Sequence, residues 1–222
     1  MKLPDEPLKK QEPQSQSVAS QLPLRLVVQY VINAEEDGTF VTGRVETGTV
    51  KVGDKVSFEP AGVSGVVTSI SMYPEDIEKA GPGDDIGFIV KGVKKDDIGT
   101  GDICGPISNP PTIAKEFTAS LQVIDIPDLI EVGYTALLDI HQVQVTCKFV
   151  ELISKLDPDT FDVIEKNPAS LKPPDVGVVR IETTQPLVVE KFKEVPYLGR
   201  FTIRDMEAPN ELAVTALSPL AL

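Results

Sequence analysis

Two tandem antiparallel β-barrels, each of six or seven strands, are the all-β architecture that this 222-residue sequence predicts. Three observations predict it. Short runs in which apolar and polar side chains alternate recur along the chain, as strands with one buried face require. Clusters of Gly, Pro, Asn and Asp punctuate those runs at the close spacing of small barrels and sandwiches. Helical periodicity is nearly absent: only residues 74–79, with acids near the start, read as one helical turn.

The elements follow in order. Residues 1–21 are rich in Pro, Gln, Ser, Lys and Glu without apolar periodicity, and read as a disordered tail that lacks the apolar core of a signal peptide. The first barrel is assigned to residues 22–107, with strand-like runs at 39–48, 55–58, 66–72 and 86–90. Residues 108–113 form a linker, where Pro110 and Pro111 remove backbone donors and stiffen the connection. The second barrel takes residues 114–222, with runs at 117–124, 135–138, 141–152, 176–181, 187–192, 199–204 and 212–217. Residues 167–174 read as a turn-rich excursion between two of them.

Composition narrows the function classes. A net charge of −13 repels phosphate backbones unless a local basic patch overrides it, which argues against generic nucleic-acid binding. Lys94 and Lys95 are followed directly by Asp96 and Asp97, so they read as a solvated loop. Cys104 and Cys147 lie far apart in strand-like runs and are expected as buried free thiols. His141 is the only histidine, which leaves no material for a histidine-rich metal centre or triad; it is expected on a strand with its hydrogen bonds satisfied. No cofactor or metal is expected. No stretch is apolar enough to span a bilayer, so a cytoplasmic address without a membrane partner is expected.

Several runs, taken in order, resemble one family. Leu24-Arg-Leu26, Gly43-Arg-Val-Glu-Thr-Gly48, Lys51-Val-Gly-Asp54 and Pro82-Gly-Asp-Asp-Ile-Gly-Phe88 are similar to landmarks of domain two of elongation factor 1-alpha. Glu116-Phe-Thr-Ala119, Val132-Gly-Tyr134, Cys147-Lys-Phe149 and Leu198-Gly-Arg-Phe-Thr-Ile-Arg-Asp-Met206 are similar to those of domain three. The resemblance runs from about Leu22 to Leu217 and implies the two-barrel fold of those domains. The family's GTP chemistry needs a phosphate-cradling Gly-x-x-x-x-Gly-Lys-Ser/Thr loop and a Mg²⁺-binding Asp. Neither occurs in these residues, so the chain is expected to lack the GTPase domain, to carry no catalytic residue and not to be an enzyme.

In that family domain two holds the aminoacyl end of charged tRNA and domain three holds the T stem. Carried over residue by residue, the aminoacyl pocket falls on Gln29, Tyr30, Ile32 and Asp85. Gln29 fits the pattern. Tyr30 replaces an Asp, Ile32 replaces the aromatic that lines the pocket, and Asp85 replaces an Asn; Tyr30 and Ile32 are expected to pack within a strand. An ionised Asp only accepts hydrogen bonds where Asn also donates, and Ile32 offers no flat surface to pack against. The T-stem face falls on His141, Gln142, Gln185 and Thr215, with Gln185 replacing a Lys and Thr215 a Gly, beside the acidic stretch 207–211. Arg44, Arg200 and Arg204 remain as possible basic contacts, with Glu46 and Asp205 as alternative partners for Arg44 and Arg204.

The resemblance implies a binding module in protein synthesis, with the ribosome, tRNA or a translation factor as partner. The altered pocket and the charge balance favour a protein partner over tRNA. Two alternatives stand beside it: a diverged regulatory or interaction module that has lost aminoacyl-tRNA, and the C-terminal half of a split elongation factor.

Overall fold

The computed structural model describes residues 18–34, 38–124 and 129–206, and the backbone of 214–217. The first nine strands are β1 (Arg25–Asn33), β2 (Thr39–Thr47), β3 (Val50–Lys51), β4 (Lys55–Glu59), β5 (Val63–Met72), β6 (Glu75–Ile77), β7 (Lys79–Ala80), β8 (Asp85–Lys91) and β9 (Ile103–Pro106). Six of them close a ring in the order β4-β9-β1-β2-β8-β5 and back to β4; β6 adds to β5 outside it, and β3 pairs with β7. Alternation produces the core: along β2, Val41, Gly43 and Val45 point inward while Phe40, Thr42 and Arg44 face out. Phe58 and Phe88 stack inside, with ring centroids 6.4 Å apart.

The second ring uses β10 (Ile113–Val123), β11 (Thr135–Ile140), β12 (Val143–Leu156), β14 (Val176–Val188), β15 (Arg200–Asp205) and β16 (Val214–Leu217), closed by the β11–β12 pairing. The strand β13 (Val163–Lys166) lies outside the ring against β12. Phe117 meets Phe201 edge to face at 5.5 Å in the core, beside Leu138, Phe149 and Ile181. Both cysteines are free and buried; burial raises the Cys104 thiol far above its usual range and pushes Cys147 up to about 12.

Three expectations need correction. Residues 74–79 are not helical: the chain reverses at Tyr73–Pro74, Met72 pairs with Glu75, and β6 runs back along β5. Pro74, which lacks a backbone donor, suits the turn, and Ile77 reaches the core only from an extended strand. His141 and Gln142 do not begin a strand but form the two-residue tip between β11 and β12, where Ile140 pairs with Val143. Residues 187–192 are not one strand: 187–188 end β14, which continues without a break from Val176, and 189–192 lie outside the strands. Of the tail, 1–17 lies outside the described residues; 18–21 form a turn tied to the first barrel, with the Gly48 N–H donating to the Ala19 carbonyl at 2.8 Å. The stretch 207–211 also lies outside the described residues.

The barrels meet on an apolar seam of Val27 and Ile103 against Val188, Val195 and Leu198. Next to it Arg25 Nε donates to Glu190 Oε1 at 2.7 Å, both side chains being buried. The other Arg25 nitrogens donate to the Leu24 and Asn109 carbonyls at 2.9 and 3.0 Å and to Asn109 Oδ1 at 3.2 Å. Glu190 in turn accepts from the Thr112 N–H and hydroxyl at 3.1 and 3.2 Å. One ion pair thus ties β1, the connecting segment and the segment after β14 together.

A bulge positions the outer face of β1. Val28 pairs with Gly43 but Tyr30 pairs with Thr42, so Gln29 is the extra residue. Gly43 permits the close approach: a Cβ there would lie 2.4 Å from the Val27 carbonyl oxygen and 2.5 Å from Leu26 Cδ2. Gly43→Ala is therefore expected to lose about 1–3 kcal/mol of stability in urea denaturation, because backbone must move to admit the methyl group.

Candidate functional site

Gln29 and Asp85 come together. They line an open pocket of about 360 Å³ on the first barrel, with Phe40, Thr42, Ser71 and Tyr73. Phe40 covers Gly87 so closely that a Cβ on Gly87 would lie 2.4 Å from the ring. Tyr73, at the β5–β6 turn, is 98% exposed and stands free as a second aromatic wall. Tyr30 and Ile32 do not pack as expected: both are exposed. They sit opposite Thr42 and Phe40 in register, on the same outer face as the pocket. Asp85 opens β8 directly across from Arg44, whose Nη1 lies 3.1 Å from its Oδ2. Arg44 Nε lies 3.7 Å from Glu46 Oε1. Burial raises the Glu46 carboxyl above its ordinary range, with Arg44 lowering and Asp85 raising it further.

Sequence reasoning missed Phe40 and Tyr73. Phe40 carried a readable signal, since it is out of phase with the inward Val41 and Val45 and so had to face outward. Tyr73 precedes a proline in a segment taken for helix, which hid its place at a hairpin tip.

His141 and Gln185 also come together, in a crevice of about 350 Å³ between the barrels, facing Thr100, Gly101 and Asp102. His141 holds φ at 47°, in the left-handed region. The contact is close: a Cβ on Gly101 would lie 2.5 Å from Val143 Cγ2. The expected hydrogen bonds of His141 are not made. Both ring nitrogens are sealed from solvent and neither has a partner among the described residues. The ring stacks on Tyr197 at 6.4 Å, and burial lowers its pKa to about 4. Burial likewise raises the Asp102 carboxyl, which the Gly99 N–H lowers and Glu59 raises. Gln142 and Gln185 are exposed. Thr215 pairs with Gln122 and Thr202 in β16, and its side chain lies outside the described residues.

The remaining arginines are engaged within the second barrel. Arg204 Nε lies 2.9 Å from Asp139 Oδ2 rather than pairing with Asp205. Neighbouring strand residues point to opposite faces, and Asp205 accepts a hydrogen bond from the Tyr134 hydroxyl on the other side. The Arg200 guanidinium sits 5.3 Å above the Phe192 ring and lines, with His141, Tyr197 and Thr202, a second cleft of about 440 Å³. Among the described residues no three His, Cys, Asp or Glu side chains converge as metal ligands, and no helix is long and apolar enough to cross a membrane.

This arrangement of two closed barrels, with an outer pocket on the first and a crevice between them, matches the tandem-barrel portion of translation-factor GTPases of known structure. The crystal structure of sup35 complexed with GDP superposes with a TM-score of 0.80 at 25% identity, over 92% of this chain and 48% of that one. Its GMPPNP complex gives 0.79 at 24% identity. Residues 38–105 match the family described as elongation factor Tu domain 2, and residues 116–213 match the GTP-eEF1A C-terminal domain-like family. The chain is homologous to domains two and three of elongation factor 1-alpha. It is 55% identical to elongation factor 1-alpha of Methanocaldococcus jannaschii over 185 residues, 83% of this chain and 43% of that protein. For the Methanothermobacter thermautotrophicus protein the figures are 52%, 83% and 45%. The chain therefore spans less than half the length of these curated relatives, and what it matches is their non-catalytic part.

Proposed function

We propose that this chain serves protein synthesis as a non-enzymatic, elongation-factor-related binding module in the cytoplasm. It engages the translation machinery through protein contacts and has lost most of its hold on aminoacyl-tRNA. The observation that carries this reading is the Arg44–Asp85 pair. The pocket presents a carboxylate to any incoming ester or phosphate, the nearest guanidinium is already occupied by it, and no lysine or arginine is among the described lining residues. The T-stem face supports the same reading, since His141 offers no accessible nitrogen and Gln185 supplies no charge.

A lost charge-assisted phosphate contact forfeits roughly 1.5–3 kcal/mol. Two such losses weaken binding by about two orders of magnitude or more, since 1.4 kcal/mol is roughly tenfold. In a salt-titrated filter-binding assay the chain is expected to bind charged and uncharged tRNA equally weakly at physiological salt. Asp85→Asn with Gln185→Lys is expected to regain preference for the charged form. Tight wild-type binding that prefers charged tRNA would instead establish a retained pocket, the reading that the aromatic walls Phe40 and Tyr73 favour.

A further inference from the structure

Past the closed ring of the second barrel, β12 continues and turns back as β13. All four β13 residues are exposed, Val163 by 53% and Ile164 by 57%. Ile164 is the extra residue of a bulge against Lys155 and Leu156, and together with Val163 it presents bare aliphatic surface. The outer edge of β13 pairs with no strand among the described residues. Just before it, Phe161 is 63% exposed and holds φ at 62°. A bulky side chain in that conformation is strained, and an exposed ring gains no burial in return.

The turn that carries Phe161 is nonetheless firmly built. Asp157 Oδ1 accepts from the Asp159 and Thr160 N–H groups, both at 2.9 Å. The Phe161 N–H donates to the Asp157 carbonyl and the Asp157 N–H to the Asp162 carbonyl, again at 2.9 Å. These bonds fix the backbone that carries the ring before any partner arrives, which removes part of the ordering cost of association. Residues 157–166 carry four carboxylates, Asp157, Asp159, Asp162 and Glu165, against Lys166, while Lys155, opposite Glu165 on β12, is paired with Asp175 at 2.8 Å.

We infer that Phe161 and the free edge of β13 form a docking site for an extended, basic segment of a partner protein. The segment adds to β13 as a strand through main-chain hydrogen bonds. Its apolar side chains cover Phe161, Val163 and Ile164, and its lysines or arginines meet the carboxylates. Charge selects this occupant. Phosphate backbones are repelled, and a second copy of the chain would bring the same four carboxylates together.

The test uses the full chain, isotope-labelled, with two peptide probes: Lys-Val-Thr-Val-Thr-Val-Lys and the same sequence flanked by Glu. The Lys-flanked peptide is expected to shift and protect the amides of Val163–Lys166, more weakly as salt rises; the Glu-flanked peptide is not. Phe161→Gly, which suits the backbone, is expected to keep or raise the melting temperature while weakening the Lys-flanked peptide ~tenfold. Asp159→Lys with Asp162→Lys is expected to reverse the preference between peptides. The inference is overturned if the Lys-flanked peptide leaves these amides unprotected or both peptides protect them equally. It is also overturned if an RNA oligonucleotide protects them, or if the chain protects them by self-association.

Discussion

Glu190→Ala is expected to destabilise the protein by about 3–5 kcal/mol, the usual cost of leaving one partner of a buried ion pair uncompensated. The removed carboxylate holds Arg25 Nε at 2.7 Å and both the N–H and the hydroxyl of Thr112. Arg25 cannot turn to water, because the Leu24 and Asn109 carbonyls fix its other end. The charge is therefore stranded, and the segment at 108–112 loses its anchor. Urea denaturation measures the first effect. Cleavage by proteinase K within 108–112 measures the second and is expected to rise sharply. The double variant Arg25→Met, Glu190→Leu removes both charges and is expected to recover most of the stability. A loss below about 1 kcal/mol in the single variant would mean that the pair is solvated and the barrels are held by the apolar seam alone.

Acid is expected to act through His141. Its folded pKa of about 4 lies below the ordinary 6.5 because burial strips the ring of water, and neither nitrogen has a hydrogen-bond partner among the described residues. Between these values the unfolded chain binds a proton that the folded chain refuses, so stability rises with pH. The His141 contribution is fully present above about pH 6.5 and is lost progressively as pH falls to about 4, at most roughly 3–4 kcal/mol at 1.36 kcal/mol per unit. The charged groups that face the ring or share its clefts are Asp102 across the seam, Asp139 on β11 and Arg200 on β15. Carboxylates elsewhere also titrate in acid, so the informative quantity is a difference in slope. His141→Asn tolerates the left-handed backbone and carries no proton. Its stability curve between pH 7 and 4.5 is expected to be flatter than that of the wild type. Parallel curves would place the nitrogens in contact with water.

The legibility of this fold in its sequence follows from burial. Strands with one wet face, such as β2, β8 and β11, alternate cleanly and could be read directly. The start of β1 could not, because Arg25 to Val28 are all buried and the run carries no period. The turn at His141 was hidden for a different reason: it takes a left-handed conformation without the Gly or Asn that would announce it. Residues 74–79 have a helix-like acidic start, but three pairings with β5 outweigh local preference. At the candidate site, Gln29 and Asp85 were found through family resemblance. Their neighbours Phe40 and Tyr73 depend on a bulge and a hairpin register that no local pattern encodes. The pairing of Asp85 with Arg44 likewise exists only once β2 and β8 are in register.

The continuous burial at the start of β1 has a further consequence. Leu26 and Val28 belong to the first barrel's core, whereas Val27 between them belongs to the seam with Val188, Val195 and Leu198. One strand is thus a party wall, plastered on both sides. Severing the chain within the proline-bearing connection would not yield two finished buildings: each half would keep a bare apolar wall cut to fit the other. The prolines mark where the polypeptide passes from one barrel to the next, but the unit that excludes water is the pair.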